Sequence, residues 1–440
     1  MMVPSVAKCS FILLFFLLKH PQQAKGWDKV PLFWESHVLS APKGHYVELN
    51  FSMRSYSSAP RPCLQDYYLE IRDGNNPSAN VLGVFCGDKK AAVVRSSGGY
   101  LWLRFFPYRR YNLNAYYTGR SSNQTATPTM TQVPKTQTVI FNRTSDLWCP
   151  VEGAPAPYIV WRKNGVVVQN RTSVRYHPVA AEENVNYSCE VRRDNNVSRS
   201  EISLNIEECP GPCDCHILKG TYNLLRVSCT GKELMSFPWK IPPTTAKLDL
   251  SNNQLNDLSQ DIFSNNTHLA WLQLNNNQLR NLPSGIFSNN TQLYLLQLNN
   301  NQLRNLPSGV FSNNTKLEKL RLDNNQLKGL PSDIFSKNTL LSDLYLDNNQ
   351  LENLPKDIFM NNTNLGWLLL DNNQIKEVPS DIFSKNTRLW YLRLNNNQLK
   401  DLPSGIFSNN TQLYHLYLDN NQLENLPKDI FMNNTNLGWL

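Results

Sequence analysis

Leu272-Gln273-Leu274-Asn275-Asn276-Asn277-Gln278-Leu279 opens a stretch that returns every 24 residues. Its last asparagine stands at 253, 277, 301, 325, 349, 373, 397 and 421, so the frame is kept eight times from Leu248 onward. Leu272 and Leu274 are two apart, and on a strand that spacing sends both side chains to one face. Parallel strands from successive turns then stack about 4.8 Å apart, giving a sheet roughly 35–40 Å long. After each strand the chain turns where its backbone cannot reach water. An asparagine there, such as Asn277, carries both donor and acceptor and predicts a ladder from turn to turn. Phe263, Phe287, Phe311 and their equivalents are expected to stack as a spine on the convex side, with a structural role only.

The pattern LxxLxLxxNxLxxLPxxIFxxNT resembles the leucine-rich repeat, which implies a solenoid with a parallel sheet along its inner curve. The side chains between the leucines then point away from the core, onto the concave face. Candidate ligand-binding residues there are Trp271, Gln273, Gln297, Arg321, Asp323, Tyr345, Trp367, Tyr391, Arg393 and Tyr417. Aromatic and arginine side chains on an exposed sheet are the composition of a protein-binding surface. The plainer reading is that aromatics simply suit strands. Asp323, Asp347, Asp371 and Asp419 share one column and read as a solvated stripe rather than an acidic site. Charge reversal at Arg321 or Arg393, or alanine at Trp367 or Tyr391, is expected to weaken binding with the solenoid still folded.

The start of the chain points to export. Lys8, the apolar run Phe11 to Leu18, and Ala24-Lys25-Gly26 form the layout of a signal peptide over residues 1–26. The run is far short of the roughly 20 residues that a membrane span needs. Removing Cys9 with it leaves eight of the nine cysteines, an even number for an oxidising compartment. Local spacing sorts them into Cys63 with Cys86, Cys149 with Cys189, and a cluster of Cys209, Cys213, Cys215 and Cys229. The cluster's spacing leaves three pairings open. Zinc, with His216 beside it, is the alternative that an exported chain disfavours. Glycosylation sequons begin at Asn50, Asn123, Asn142, Asn170, Asn186, Asn196, Asn265, Asn289, Asn313, Asn361, Asn409 and Asn433. Half of them occupy one repeated position, expected on the outer or flanking surface.

Three further resemblances divide the rest of the chain. The segment Cys209-x3-Cys213-x-Cys215-x13-Cys229 lies directly before the first repeat and resembles the N-terminal cap of extracellular leucine-rich repeat proteins. That resemblance implies Cys209–Cys215 and Cys213–Cys229 pairs. Cys149, Trp161 and Tyr187-Ser188-Cys189 resemble an immunoglobulin domain, in which the tryptophan packs on the inter-sheet disulfide and the tyrosine forms the corner. The short cysteine separation implies a sandwich without the extra middle strands. Cys63-Leu64-Gln65-Asp66-Tyr67-Tyr68-Leu69-Glu70-Ile71-Arg72-Asp73-Gly74 and Leu82-Gly83-Val84-Phe85-Cys86-Gly87, then Ser96-Ser97-Gly98 and Leu101-Trp102-Leu103-Arg104-Phe105, resemble a CUB domain. The family's first cysteine pair is absent. Of the family's calcium ligands Asp66 matches one, but Ser58 and Phe106-Pro107 replace others, so no metal is assigned.

The expected organisation is a multidomain chain: two all-β sandwiches followed by a solenoid with a parallel β-sheet horseshoe. Its parts are a CUB-like domain (27–118), a Ser/Thr/Pro-rich linker (119–138), an immunoglobulin-like domain (139–206), the cysteine-rich cap (207–247) and the repeats (248–440, eight turns and a truncated ninth). Leu344 to Leu368 is identical to Leu416 to Leu440, and the chain stops at the first leucine of that ninth turn. The expectation is a fragment of a longer chain, with a further cap and perhaps a membrane anchor beyond residue 440.

Apolar residues make up 40% and charged residues 18% of the 440, a mixture unlike a multi-span membrane protein or a disordered chain. The net charge of +8 is not gathered into a basic run, so no nucleic-acid partner follows from it. The seven histidines are scattered, and no phosphate loop or HExxH is present. No catalytic residue or cofactor is expected. The leading reading is a non-enzymatic extracellular recognition protein, secreted or the ectodomain of a receptor, adhesion or innate immune molecule, with a protein ligand on the concave face. The alternatives are the binding region of a larger enzyme, a receptor kinase or matrix oxidase, with its catalytic domain past residue 440, or a structural matrix component.

Overall fold

The computed structural model describes residues 28–440, apart from 31–35, 56–67, 86–88, 106–110, 122–134, 151–157, 172, 179–184, 194–195, 219–220 and 222. The signal segment, the Cys63–Cys86 pair, the calcium positions Ser58, Asp66 and Phe106-Pro107, and Asn123 lie outside the described residues.

The first sandwich has two four-stranded antiparallel sheets. One runs in the order Asp28–Lys29, Tyr111–Ser121, His45–Ser55, Lys89–Arg95; the other His37–Ser40, Tyr100–Phe105, Leu69–Asp73, Asn80–Phe85. Alternation decides which side chains go inside. Val47, Leu49, Phe51 and Met53, at every second position of one strand, are all at most 1% exposed. Glu48 between them turns to the other face, where Arg95 and Arg120 donate to its two carboxylate oxygens at 2.7 and 3.3 Å.

The second sandwich pairs a two-stranded ladder, Leu147–Trp148 with Arg175–Tyr176, with a five-stranded sheet. That sheet runs Val166–Arg171, Tyr158–Lys163, Tyr187–Arg193, Asn196–Glu207, Thr136–Ile140. Cys149 and Cys189 are bonded, and Trp161, fully buried, lies directly across the sheet from Cys189. The last strand, Asn196–Glu207, leads straight into the cap. Thr138 Oγ1 donates to the Asn223 carbonyl at 3.2 Å and Thr244 Oγ1 to Glu207 at 3.3 Å. Ile140 belongs to the same apolar cluster as the solenoid core.

In the cap, Cys209–Cys215 and Cys213–Cys229 are bonded. Its hairpin, Asp214–Ile217 with Leu225–Ser228, is antiparallel and begins a ten-stranded sheet that is parallel from Leu225–Ser228 onward. Thr245–Asp249 and then seven three-residue strands follow, from Trp271–Gln273 to His415–Tyr417, each of the seven paired with the strand 24 residues away in unshifted register. A solenoid end exposes core and sheet edge, and the disulfide-bonded hairpin covers both at this end.

The asparagine ladder forms as the sequence requires. Asn277 Nδ2 donates to the Leu250, Leu274 and Asn275 carbonyls at 3.0, 3.1 and 3.3 Å, and its Oδ1 accepts from Leu255 N–H at 3.0 Å. The residue before it, Asn252, Asn276 and so on to Asn420, holds φ between 54° and 57°, a left-handed backbone that asparagine tolerates. A second ladder was not foreseen. Asn290 Nδ2 donates to the Phe263 and Asn266 carbonyls at 3.0 and 2.9 Å, and the pattern repeats from Asn314 to Asn434.

Phe263, Phe287 and Phe311 are fully buried and stack at 6.0 and 6.1 Å between ring centres. Phe335, Phe359, Phe383, Phe407 and Phe431 continue the column at 6.1–6.4 Å. These rings stand farther apart than strands do, at about 4.8 Å. Each turn is therefore a wedge with its thin edge at the sheet, and the sheet lines the inner curve.

Candidate functional site on the inner face of the solenoid

Every three-residue strand buries its central leucine in the core, as Leu272, Leu320 and Leu368 show, and turns the two flanking side chains outward. Those flanking positions differ from turn to turn while the frame around them is nearly constant. The predicted face is thereby assembled in two unlike halves.

In the first turns the face is largely closed. Tyr294 and Leu295 are only 5% and 7% exposed, because they cluster with Ala246, Ala270 and the cap residues Leu218 and Leu224. Trp271 packs on the same cluster, with the Lys247 ammonium 3.9 Å from its ring centre. Gln273 and Gln297 join each other through an amide hydrogen bond of 2.9 Å.

Over the later turns the side chains form an open wall. The rings of Trp367 and Tyr391 stack at 4.3 Å, 5° from parallel, and Tyr417 follows at 5.7 Å from Tyr391. A second column stands beside them, just before the strands: Trp390 and Tyr414, stacked at 5.8 Å and each 39% exposed. His415 lies edge-on to Trp390 at 4.9 Å and joins the columns. Trp390 and Tyr414 stand just before the strand, outside the alternation that picks out the other face residues. Their signal was present in the column Ala270, Tyr294, Glu318, Ser342, Gly366, Trp390 and Tyr414, which varies as much as the strand positions do.

The charged residues behave differently from expectation. Asp323 and Asp371 are 1% and 2% exposed and Asp347 is half-buried, so the aspartate column is not a solvated stripe; only Asp419 is exposed. Asp323 is held by Arg321 through two bonds of 2.9 and 2.7 Å, and Asp371 lies 3.3 Å from the Arg393 guanidinium. Asp323 thus lies beneath Arg321 and acts through it. Reversing the charge of Arg321 or Arg393 would strand a buried carboxylate, which makes both substitutions stability changes as well as surface changes. Asp347 has no such cation: its Oδ2 accepts from Asn348 at 2.7 Å and its buried Oδ1 meets no donor. Burial, reinforced by Asp323 and Asp371, pushes its carboxyl up to about 6. Burial likewise raises Asp371, against the pull of Arg393. The hydrogen bond from Arg321 to Asp323 holds that guanidinium above its ordinary value.

On the opposite side of the repeat, Asn265, Asn289, Asn313, Asn361, Asn409 and Asn433 are all exposed. Asn50, Asn142, Asn170 and Asn186 are exposed as well. Among the described residues no group of three or more His, Cys, Asp or Glu is placed to hold a metal ion, and no helix is long and apolar enough to cross a membrane.

Family models divide the chain in the same order as its architecture. A CUB domain model matches residues 36–116, an immunoglobulin domain model 127–206, a BspA type leucine rich repeat region 244–366 in six copies, and a leucine rich repeat model 339–399 and 387–440. The chain carries CUB, immunoglobulin and leucine-rich repeat domains, in that order. Relatives are local. Mouse neuropilin and tolloid-like protein 2 is 35% identical over 69 residues, 16% of this chain and 13% of its own length. The inactive serine protease PAMR1 of Xenopus tropicalis is 39% identical over 83 residues (19% and 11%), and human cubilin 32% over 102 residues (21% and 3%). The chain therefore spans 13% or less of these curated relatives. Among solved structures, the Toll–Spatzle complex of Drosophila overlaps 44% of this chain and 26% of its own at 33% identity, with a TM-score of 0.43. A leucine-rich repeat protein of Leptospira interrogans overlaps 48% and 53% at 34% identity, with a TM-score of 0.44. CUB, immunoglobulin and repeat domains together, with their disulfides, fit an extracellular protein-interaction module.

Proposed function

We propose that this chain is a non-enzymatic recognition protein, secreted or displayed at the cell surface in an adhesive or innate immune role, that binds a protein ligand on the inner face of its solenoid. The observation that carries the reading is the wall of Trp367, Trp390, Tyr391, Tyr414 and Tyr417, part-exposed on the side of the repeat away from the core. Large rigid aromatics with polar tips are the side chains that dominate protein–protein affinity. The exposed repeat sequons support it too: glycans there would lie off the inner face and leave it clear.

The test is a screen of the multimerised chain against an array of secreted and cell-surface ectodomains, with each hit measured again on Trp367→Ala/Tyr391→Ala. Loss of at least tenfold in affinity, with the thermal transition retained, is the expected result. Hits that bind this variant and Trp390→Ala/Tyr414→Ala as tightly as the original would place recognition elsewhere.

A further inference from the structure

The open half of the inner face differs in charge from the protein that carries it. Across the outward positions from Lys319 to Asp419 stand three cations, Lys319, Arg321 and Arg393, against five carboxylates, Asp323, Asp343, Asp347, Asp371 and Asp419, in a chain whose net charge is +8. The cations are already engaged. Arg321 holds Asp323, Arg393 holds Asp371, and the Lys319 ammonium lies 5.2 Å from the centre of the Tyr345 ring. Asp343 receives only the Ser342 hydroxyl, at 2.7 Å, and Asp347 only the Asn348 amide; among the described residues neither forms an ion pair. These two carboxylates belong to one turn, on either side of Tyr345, about 13 Å apart at the rise of an extended strand. The next turn supplies half-buried Leu369 and then the Trp367–Tyr391 stack.

A face of this kind is apolar at its centre and carries two more carboxylates than cations over its outward positions. Lys319 stands across the sheet from Asp343 and Arg321 feels Asp347, but among the described residues neither carboxylate is closed into an ion pair. Asp347 is also poorly solvated and stands between the column neighbours Asp323 and Asp371, so a cation brought to it gains more than it would at an exposed carboxylate. Resting on the reading above, we infer that the partner of this face presents lysine or arginine side chains beside an apolar group, the apolar part seated on Leu369, Trp367 and Tyr391 and the cations placed at Asp343 and Asp347. Charge complementarity of this kind selects partners and speeds encounter more than it adds affinity, so its mark is specificity and salt dependence.

The test uses a displayed library of random 12-residue peptides, panned at pH 7.4 on the immobilised full chain. Lysine or arginine adjacent to an aromatic or aliphatic residue is expected to dominate the enriched peptides. They should bind Asp343→Asn/Asp347→Asn at least fivefold more weakly and lose at least fivefold in affinity on the original protein between 50 and 500 mM NaCl. The salt measurement needs no variant and stands if the double substitution alters folding. Peptides without basic residues, indifferent to salt and to the double variant yet lost on Trp367→Ala/Tyr391→Ala, would overturn the inference and keep the inner face as the binding surface. Peptides indifferent to both variants would overturn both readings, and failure of any peptide to enrich would overturn the inference.

Discussion

The first and the later turns of the solenoid share one frame and present opposite faces. Around Tyr294 and Leu295 the outward side chains are packed into a cluster with Ala246, Ala270 and Trp271 that the cap residues Leu218 and Leu224 extend, and Gln273 and Gln297 are joined to each other. Around Trp367 and Tyr391 the rings pack only on neighbouring rings of the wall, among the described residues, and stay part-exposed. The lesson is that an outward-pointing position is not by itself a binding position. What decides is whether other side chains of the chain have already taken the surface, and here a cluster continuous with the cap takes one end.

That contrast can be broken by truncating a leucine on each side. Leu295→Ala removes a side chain that is 7% exposed and should cost about 2–3 kcal/mol in urea unfolding. Leu369→Ala, half-buried on the open face, should cost less than about 1 kcal/mol. Equal losses would mean that this cluster does not close the first turns. The frame should ignore the contrast. Asn277→Ala and Asn325→Ala each leave one buried N–H (Leu255 or Leu303) without its acceptor and take one of two amide donors from the turn carbonyls, and should each cost about 1–3 kcal/mol, wherever the turn stands. Unequal costs would show that the two halves differ below the surface as well.

A pH-dependent effect is the most diagnostic of the open half. The Asp347 carboxyl lies at about 6 in the folded chain against an ordinary 3.8, so the folded state keeps a proton that the unfolded state has lost. Stability from this group therefore falls as pH rises between those values and is level above them. Asp347→Asn should melt higher than the original protein at pH 7.4, with the gap closing by pH 4; parallel melting curves across that range would refute the assignment.

Much of the architecture was readable because it rests on periodicity. The repeat of 24, the Phe263 column and the Asn277 ladder each follow from a side chain that recurs where the backbone needs it. The second ladder at Asn290 is equally periodic but falls inside an NNT sequon, whose first asparagine already accounts for the motif. The site was legible only in part. Trp367, Tyr391, Tyr417 and the Arg321–Asp323 pair two residues apart follow from strand alternation, whereas the cover over Leu295 and the Arg393–Asp371 pair depend on contacts between turns. Spacing within one turn holds no record of such contacts.

The identity of Leu344–Leu368 with Leu416–Leu440 has a physical counterpart in the joints between turns. Since both ladders and the ring column are rebuilt alike at every junction, one turn can be copied in or dropped without any neighbour meeting an unfamiliar surface. The length of the gripping wall can then change in whole steps, and its outward residues can drift freely, while the spine that carries them stays as it was.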